Sequence, residues 1–369
     1  MMEKRQFGKT GLTPSILGFG MMRMKKNEKG EFDEKWTVDT LRYAIDRGLS
    51  YVDTAYAYGE SERLTGLALR DGYREKVTLA SKMPVSRMTC AEDFDRILDE
   101  ELERLQTDHI DVYLLHALNR KSWDNFVVKY DVLASAERAK AAGKIRHLGF
   151  SFHDNLEAFR YILDAYDKWE FCQIQLNYMD VNYQAGLEGL REAHRRGLAV
   201  VIMEPLRGGR LAAVPPEVAK LLPGKPVESA LDFLWNMPEV NVVLSGMSEW
   251  EQVEENLSFA EKAHVGMLTE AQVQQMIAAG NEMRRRISIP CTGCNYCSVC
   301  PQEIAISDIF ALWNQRLLDG DGRKAKKLYM GLDTHNGGSC ICCTACVKQC
   351  PQQIDIPTEL DKIHKWFTE

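Results

Sequence analysis

Ala141-Ala142-Gly143-Lys144-Ile145-Arg146-His147-Leu148-Gly149-Phe150-Ser151 carries the end of an amphipathic run into a short apolar one through a single glycine. Glycine at that point supplies the left-handed residue that stops a helix. The run after it has the length and the Ile, Leu and Phe content of a parallel strand buried on both faces. The unit recurs along the chain. Asp46-Arg47-Gly48 precedes an apolar run at 50–53, and Arg195-Arg196-Gly197 precedes one at 198–203. The arginines face the negative end of the helix they close. Further runs at 15–19, 77–81, 110–116, 171–177 and 240–245 complete eight strands, with helix-like stretches such as 36–47, 91–105, 124–142 and 184–196 between them. Eight such alternations predict an α/β fold, a (β/α)8 TIM barrel. An open doubly wound sheet calls for Gly-x-Gly-x-x-Gly after its first strand, and Gly18-Phe19-Gly20-Met21-Met22-Arg23 meets that pattern only in part.

The cysteines divide the chain. Only Cys90 and Cys172 fall in the first 290 residues, while nine lie between Cys291 and Cys350. Disulfide stapling does not concentrate thiols in this way, so two domains of different chemistry are expected. Residues 1–265 form the barrel, 266–287 a connecting helix, and 288–369 a small, mainly α-helical domain. The net charge of −7, with Lys and Arg dispersed, leaves no footprint for nucleic acid or an anionic membrane. The opening MMEKRQFGKTGLTPSILGFG lacks the unbroken apolar core of a secretory signal. No stretch approaches the roughly 20 apolar residues of a membrane span. The expected location is cytoplasmic.

In a barrel, side chains just after the strands line one mouth. Strand two ends Asp53-Thr54-Ala55-Tyr56-Ala57-Tyr58-Gly59, strand three ends Ser81-Lys82, and strand four ends Leu115-His116. An acid, a phenol, an amine and an imidazole therefore converge. This pattern, with the opening Phe7-Gly8-Lys9-Thr10-Gly11-Leu12, resembles the aldo-keto reductases over about residues 4 to 262. The resemblance implies a catalytic tetrad of Asp53, Tyr58, Lys82 and His116. The chemistry is coherent. Free tyrosine, with a pKa of about 10, is a poor proton donor near neutrality. An ammonium beside it favours the phenolate, and an acid holds the ammonium in place. Tyr58 then protonates a carbonyl oxygen as hydride reaches the carbon, and His116 polarises or orients the same oxygen.

The resemblance also implies a cofactor site at the same strand ends. It comprises Gly20, Met21 and Met22 after strand one, Ser151 and Gln175 at the carboxamide edge, and Met203, Leu206, Arg207 and Gly209 after strand seven. The segment Gly246, Met247, Ser248, Gln252, Glu255 and Asn256 meets the adenosine end. Met203 stands where many members stack an aromatic ring. Gly246 and Gln252 stand where NADPH-selective members place cations, which favours NADH within the NAD(P)H class, or another phosphate-bearing cofactor such as FMN.

The C-terminal domain holds Cys291-x2-Cys294-x2-Cys297-x2-Cys300-Pro301 and Cys340-x2-Cys343-x2-Cys346-x3-Cys350-Pro351. Three closely spaced thiolates and a fourth before proline is the ligation pattern of two-cluster ferredoxins, in which the fourth cysteine serves the other cluster. Two [4Fe–4S] clusters are expected. One takes Cys291, Cys294, Cys297 and Cys350, and the other Cys340, Cys343, Cys346 and Cys300. Helix-like stretches at 308–318 and 323–332 between the blocks give the domain the character of an α-helical ferredoxin. The shorter spacing before Cys300 reads as a tighter turn, and Cys342 falls outside the pattern. Structural zinc in two four-cysteine sites is the competing reading, but zinc does not call for a closing Cys-Pro twice over.

Hydride carries two electrons together, whereas such a cluster passes one. The pairing suggests an oxidoreductase for a carbonyl or quinone-type substrate, with a flavin, FMN, as converter and a ferredoxin-like protein as electron partner. The reading from a different class is a nucleotide-binding redox sensor, which has no need of Tyr58 and Lys82 together.

Overall fold

The computed structural model describes residues 2–27, 30–319 and 322–369. The chain divides into two compact units, Met1–Pro205 with Glu228–Glu270, and Leu206–Val227 with Ala271–Glu369.

In the first unit, among the described residues, eight parallel strands close into a barrel in sequence order. They are β1 (Leu17–Gly20), β2 (Tyr51–Asp53), β3 (Thr78–Met83), β4 (Ile110–Leu118), β5 (Ile145–Phe152), β6 (Phe171–Gln175), β7 (Ala199–Met203) and β8 (Val242–Ser245). β8 closes on β1 through Leu17↔Val243 and Phe19↔Ser245. The intervening helices are α1 (Glu34–Asp46), α2 (Ser61–Ala68), α3 (Asp93–Leu105), α4 (Val132–Ala141), α5 (Leu156–Asp164), α6 (Gly186–Arg195), α7 (Pro226–Trp235) and α8 (Trp250–Ala260). The predicted barrel is therefore present, and Gly48, Gly143 and Gly197 all take positive φ where the helix stops were expected. One helix differs. The run expected over 124–142 is broken into a π turn, Trp123–Val128, and α4. Asp131 interrupts it at φ 49°, a left-handed conformation that Asp tolerates better than most residues.

The barrel interior packs Tyr51, Val112, Leu114, Phe171, Val201 and Val242 around Phe7. Phe7 arrives on the N-terminal segment, its ring 5.4 Å from that of Phe171. Gly8 beside it is obligatory, because a Cβ would stand 2.7 Å from the backbone nitrogen of Ala199. One end of the barrel is thereby filled, and the chemistry belongs to the strand C-termini.

The second unit is helical, with α9 (Glu270–Arg286), α10 (Ile306–Asp319), α11 (Gly322–Met330), α12 (Ala345–Gln349) and α13 (Ile356–Thr368). Its core joins Ile304, Phe310, Trp313, Tyr329, Leu360 and Phe367. The two cysteine blocks repeat in backbone as well as in sequence. Asn295 and Thr344 take φ of 61° and 60°, and Glu303 and Gln353 take 50° and 53°. Glu303 N donates to Cys300 O and Gln353 N to Cys350 O, each at 3.1 Å. Where the first block has one residue fewer, a 3-10 turn over Tyr296–Val299 replaces the α-helical turn of α12. That is the tighter turn expected from the spacing.

Candidate functional site

Asp53 ends β2, Lys82 lies near the end of β3, and the register pairs Asp53 with Ala80. This places both side chains at the strand C-termini, fully or almost fully buried. Lys82 Nζ donates to Asp53 Oδ1 and to Thr54 O, both at 2.7 Å. The same ammonium lies 4.8 Å from the ring centre of Tyr58, on the turn after β2. The ring of Tyr58 stands edge-on to that of His116, 5.8 Å between centres at 82°. All four predicted residues are brought together.

His116 reaches the group through an irregularity. The β4–β5 register shifts between Leu115 and Leu118, and Ala117 takes φ 54°. A bulge re-aims the side chains beside it. Ser151 Oγ accepts from the freed Ala117 N at 2.7 Å, so Ser151 braces the imidazole's backbone. Burial, then the charges of Lys82, His153 and Arg87, hold His116 well below the usual histidine range. A neutral imidazole results, able to donate to an oxygen without adding charge. Burial raises the carboxyl of Asp53, against the pull of Lys82.

The predicted cofactor residues of the first unit also collect at the strand ends. Gly20 ends β1, and a Cβ on it would lie 3.4 Å from Ser245 O. Met21 and Met22 form the short turn after it. Gln175 ends β6, its amide donating to Asp180 at 2.9 Å, and Met203 ends β7 with Gln173 donating to its sulfur at 3.7 Å. Gly246, Met247 and Ser248 follow β8, and Glu255 lies on α8. Gln252 accepts at Oε1 from Ser248 N at 2.9 Å, and Asn256 donates to Ser245 Oγ at 2.9 Å. Leu206, Arg207 and Gly209 fall in the second unit. There Arg207, Gly208 and Gly209 run consecutively at φ 49°, 67° and 91°.

Two groups escaped the sequence reading. Arg23 packs beside Gly246, where a Cβ would meet it at 3.4 Å, and ion-pairs with Glu204 at 3.7 Å. Lys25 pairs with Glu249 at 2.7 Å. Cations therefore do reach the β8 corner from the loop after β1, each matched by an acid. The second group lies behind Lys82, where Ser81 Oγ is 2.7 Å from Glu62 and 3.0 Å from Glu101. Tyr113 donates to Glu101. Burial, then the neighbouring Glu62, push Glu101 well above the carboxylate range. Glutamates among the apolar positions of α2 and α3 were the signal available.

In the second unit, Cys291, Cys294, Cys297 and Cys350 line one cavity, with Phe310, Ile354 and Ile356 among its apolar walls. Burial raises the Cys291 thiol, against the Gly293 amide and the Arg210 and Arg207 guanidiniums. Cys297 is pushed up to about 12, by burial and then by Cys291 and Cys294. Cys300 acts electrostatically on Cys340 and Cys346, members of the other block. The Gly293 amide donates to Cys291 Sγ at 3.4 Å, and the Cys342 amide makes the equivalent bond to Cys340. Among the described residues, no three Cys, His, Asp or Glu side chains close around a single metal ion.

The model of the Aldo/keto reductase family matches residues 16–279. The chain belongs to that family. Among its relatives is the Aldo-keto reductase YhdN of Bacillus subtilis, 34% identical over 161 residues. That match covers 41% of this chain and only 47% of the relative. L-galactose dehydrogenase of Arabidopsis thaliana is 30% identical over 283 residues, covering 69% of this chain and 87% of that protein. The solved aldo-keto reductase AKR11C1 of Bacillus halodurans, in its holo form, aligns at a TM-score of 0.63 and 25% identity, over 76% of this chain and 96% of that one. This aldo/keto reductase has no helix, among its described residues, long and apolar enough to cross a membrane.

Proposed function

We propose that this aldo/keto reductase is an iron–sulfur oxidoreductase that reduces a carbonyl or quinone-type substrate. The observation that carries the proposal is the cavity lined by Cys291, Cys294, Cys297 and Cys350, in a chain whose barrel gathers Asp53, Tyr58, Lys82 and His116. Cys350 comes from the second block, which is the exchange of the fourth ligand that two-cluster ferredoxins use. A thiol-lined cavity with a backbone amide donating to sulfur suits a [4Fe–4S] cluster. Cys291, Cys294, Cys297 and Cys350 would hold one cluster, and Cys340, Cys343, Cys346 and Cys300 the other. Clusters bound there would pass electrons singly.

A nicotinamide bound at the strand ends, NADH in preference to NADPH, would supply hydride. Gly20, Met21 and Met22 would border it, Ser151 and Gln175 would hold its carboxamide, and Gln252 and Asn256 would meet its adenosine end. Glu249 and Glu204, already paired with Lys25 and Arg23, make that corner unwelcoming to an added phosphate. Tyr58 donates the proton to the substrate oxygen. Lys82 favours loss of that proton from the phenol and is itself held by Asp53 and Thr54. Neutral His116 donates to the same oxygen and fixes its direction. Such acid–base assistance is worth ~10²–10⁴-fold in rate.

The test is metal and cofactor analysis of anaerobically purified protein. About eight iron and eight sulfide per chain are expected, with acid-released flavin distinguishing an FMN-dependent quinone reductase from the NADH-dependent carbonyl reductase. Zinc in place of iron would remove the relay and overturn the proposal.

A further inference from the structure

The two cysteine groups differ in exposure. Each has one buried thiol, Cys291 and Cys346, but only the second has one open to solvent, Cys343, beside Ile341, itself more than half exposed. The second group is the one a partner can reach. α11 is tied to it by hydrogen bonds. Gly337 N donates to Tyr329 Oη on α11 at 3.0 Å, and Cys340 N donates to Gly337 O at 3.2 Å. Ala325 and Tyr329 form the inner face of α11, leaving Leu328 and Met330 more than half exposed.

Charge on this surface departs from the rest of the molecule. Residues 322–350 hold five Lys or Arg against one Asp, in a chain of net charge −7. Elsewhere many lysines pair with acids, as in Lys25–Glu249, Lys76–Asp46, Lys140–Glu170 and Lys365–Asp361. Among the described residues, Lys324, Lys326, Lys327 and Lys348 have no such partner. Unpaired cations around exposed apolar side chains leave a surface whose complement is acidic and partly apolar.

We propose that α11 and the segment around Ile341 and Lys348 form the docking surface for a small acidic one-electron carrier protein, which exchanges electrons with the Cys340 group. This rests on the cluster reading above. Each encounter oxidises the carrier by one electron and reduces the cluster by one. Two encounters and two protons therefore match one two-electron reduction of a quinone to a hydroquinone, the substrate of the two proposed that accepts electrons singly and needs no hydride. Electron-transfer encounters are small, below about 1,200 Å² of buried surface, and one helix with its neighbouring loop is enough. Steered association of this kind is fast and falls steeply with ionic strength.

The experiment is stopped-flow reduction of the cluster-loaded full chain by an acidic [2Fe–2S] ferredoxin, pre-reduced and freed of excess dithionite. The rate constant is expected to fall at least tenfold between 50 and 500 mM NaCl, a span over which the screening length drops from about 14 to about 4 Å. Lys324→Glu with Lys327→Glu is expected to lower it tenfold or more at low salt, while iron content and the dithionite-reduced EPR signal stay unchanged. Lys262→Glu, an exposed charge on the barrel unit, serves as the control and is expected to leave the rate unchanged. A loaded protein reduced at a salt-independent rate that ignores the α11 variant would overturn the surface while leaving the clusters standing. Absence of iron would overturn both. Binding to anionic phospholipid vesicles that is lost in the α11 variant, with carrier rates untouched, would reassign the surface to a membrane.

Discussion

The barrel mouth and the cysteine unit assemble their reactive groups in opposite ways. At the mouth, Asp53, Tyr58, Lys82 and His116 come from three successive strand ends, and strand register brings them within reach of one another. The Lys82 ammonium lies 2.7 Å from Asp53 and 4.8 Å from the Tyr58 ring. Asp53 and Tyr58 share the turn after β2, but only strand pairing joins them to Lys82 and His116. In the cysteine unit each block places its first three thiols by a three-residue step, and only the fourth crosses over. There the backbone repeats itself at paired left-handed residues on either side of one turn that differs. The first arrangement is rigid because it is buried and topological. The second is a local template used twice, open to a group that completes it.

The widest separation between the two regions is expected from Tyr58→Phe. Removing the hydroxyl leaves the Lys82–Asp53 pair intact, so the fold and the thiols are undisturbed. Carbonyl reduction should fall by ~10²–10⁴-fold, with iron, sulfide and circular dichroism equal to the parent. Replacing Lys82 would be a poorer probe, since leaving Asp53 buried without its partner costs about 3–5 kcal/mol. Carbonyl turnover unchanged in Tyr58→Phe would remove the tyrosine from the mechanism and leave the barrel as a binding module.

Next in size is the crossing of the fourth thiol. Cys350→Ala should reduce iron from about eight to about four per chain. Adding Cys294→Ala should cost no more, because both thiols serve one cluster. Adding Cys343→Ala should remove the remaining iron. The reverse pattern, with Cys343→Ala silent on the Cys350→Ala background, would mean that each block ligates its own cluster.

Most of this architecture can be read from the chain, and the exceptions have physical causes. The strands are legible because a parallel strand buried on both faces needs an uninterrupted apolar run. The helix stops are legible because only glycine takes positive φ without strain, as Gly48, Gly143 and Gly197 do. The break at Asp131 is not, since a single left-handed aspartate leaves no pattern. Arg23 and Lys25 lie far in sequence from the β8 corner they approach, and only the sheet order joins β1 to β8. The raised carboxyl of Glu101 depends on two helices packing over Ser81. Likewise, 206–227 groups with the cysteine unit through long-range packing, for which the loop itself carries no signal.

The smallest effect bears on Cys342, the thiol outside the repeat. Aligning the blocks sets it opposite Gly293, and both residues are left-handed, at φ 53° and 70°. Both also send their amide to the sulfur two residues earlier. The position thus asks for a backbone conformation and an N–H, with no demand on the side chain. A non-glycine residue held left-handed costs roughly 1–2 kcal/mol, and glycine returns about 0.5–1 kcal/mol of that as flexibility of the unfolded chain. Cys342→Gly should therefore leave iron and sulfide unchanged and raise the unfolding midpoint by no more than a few degrees. Loss of about half the iron would place Cys342 among the ligands, and the second block would then cease to be a copy of the first.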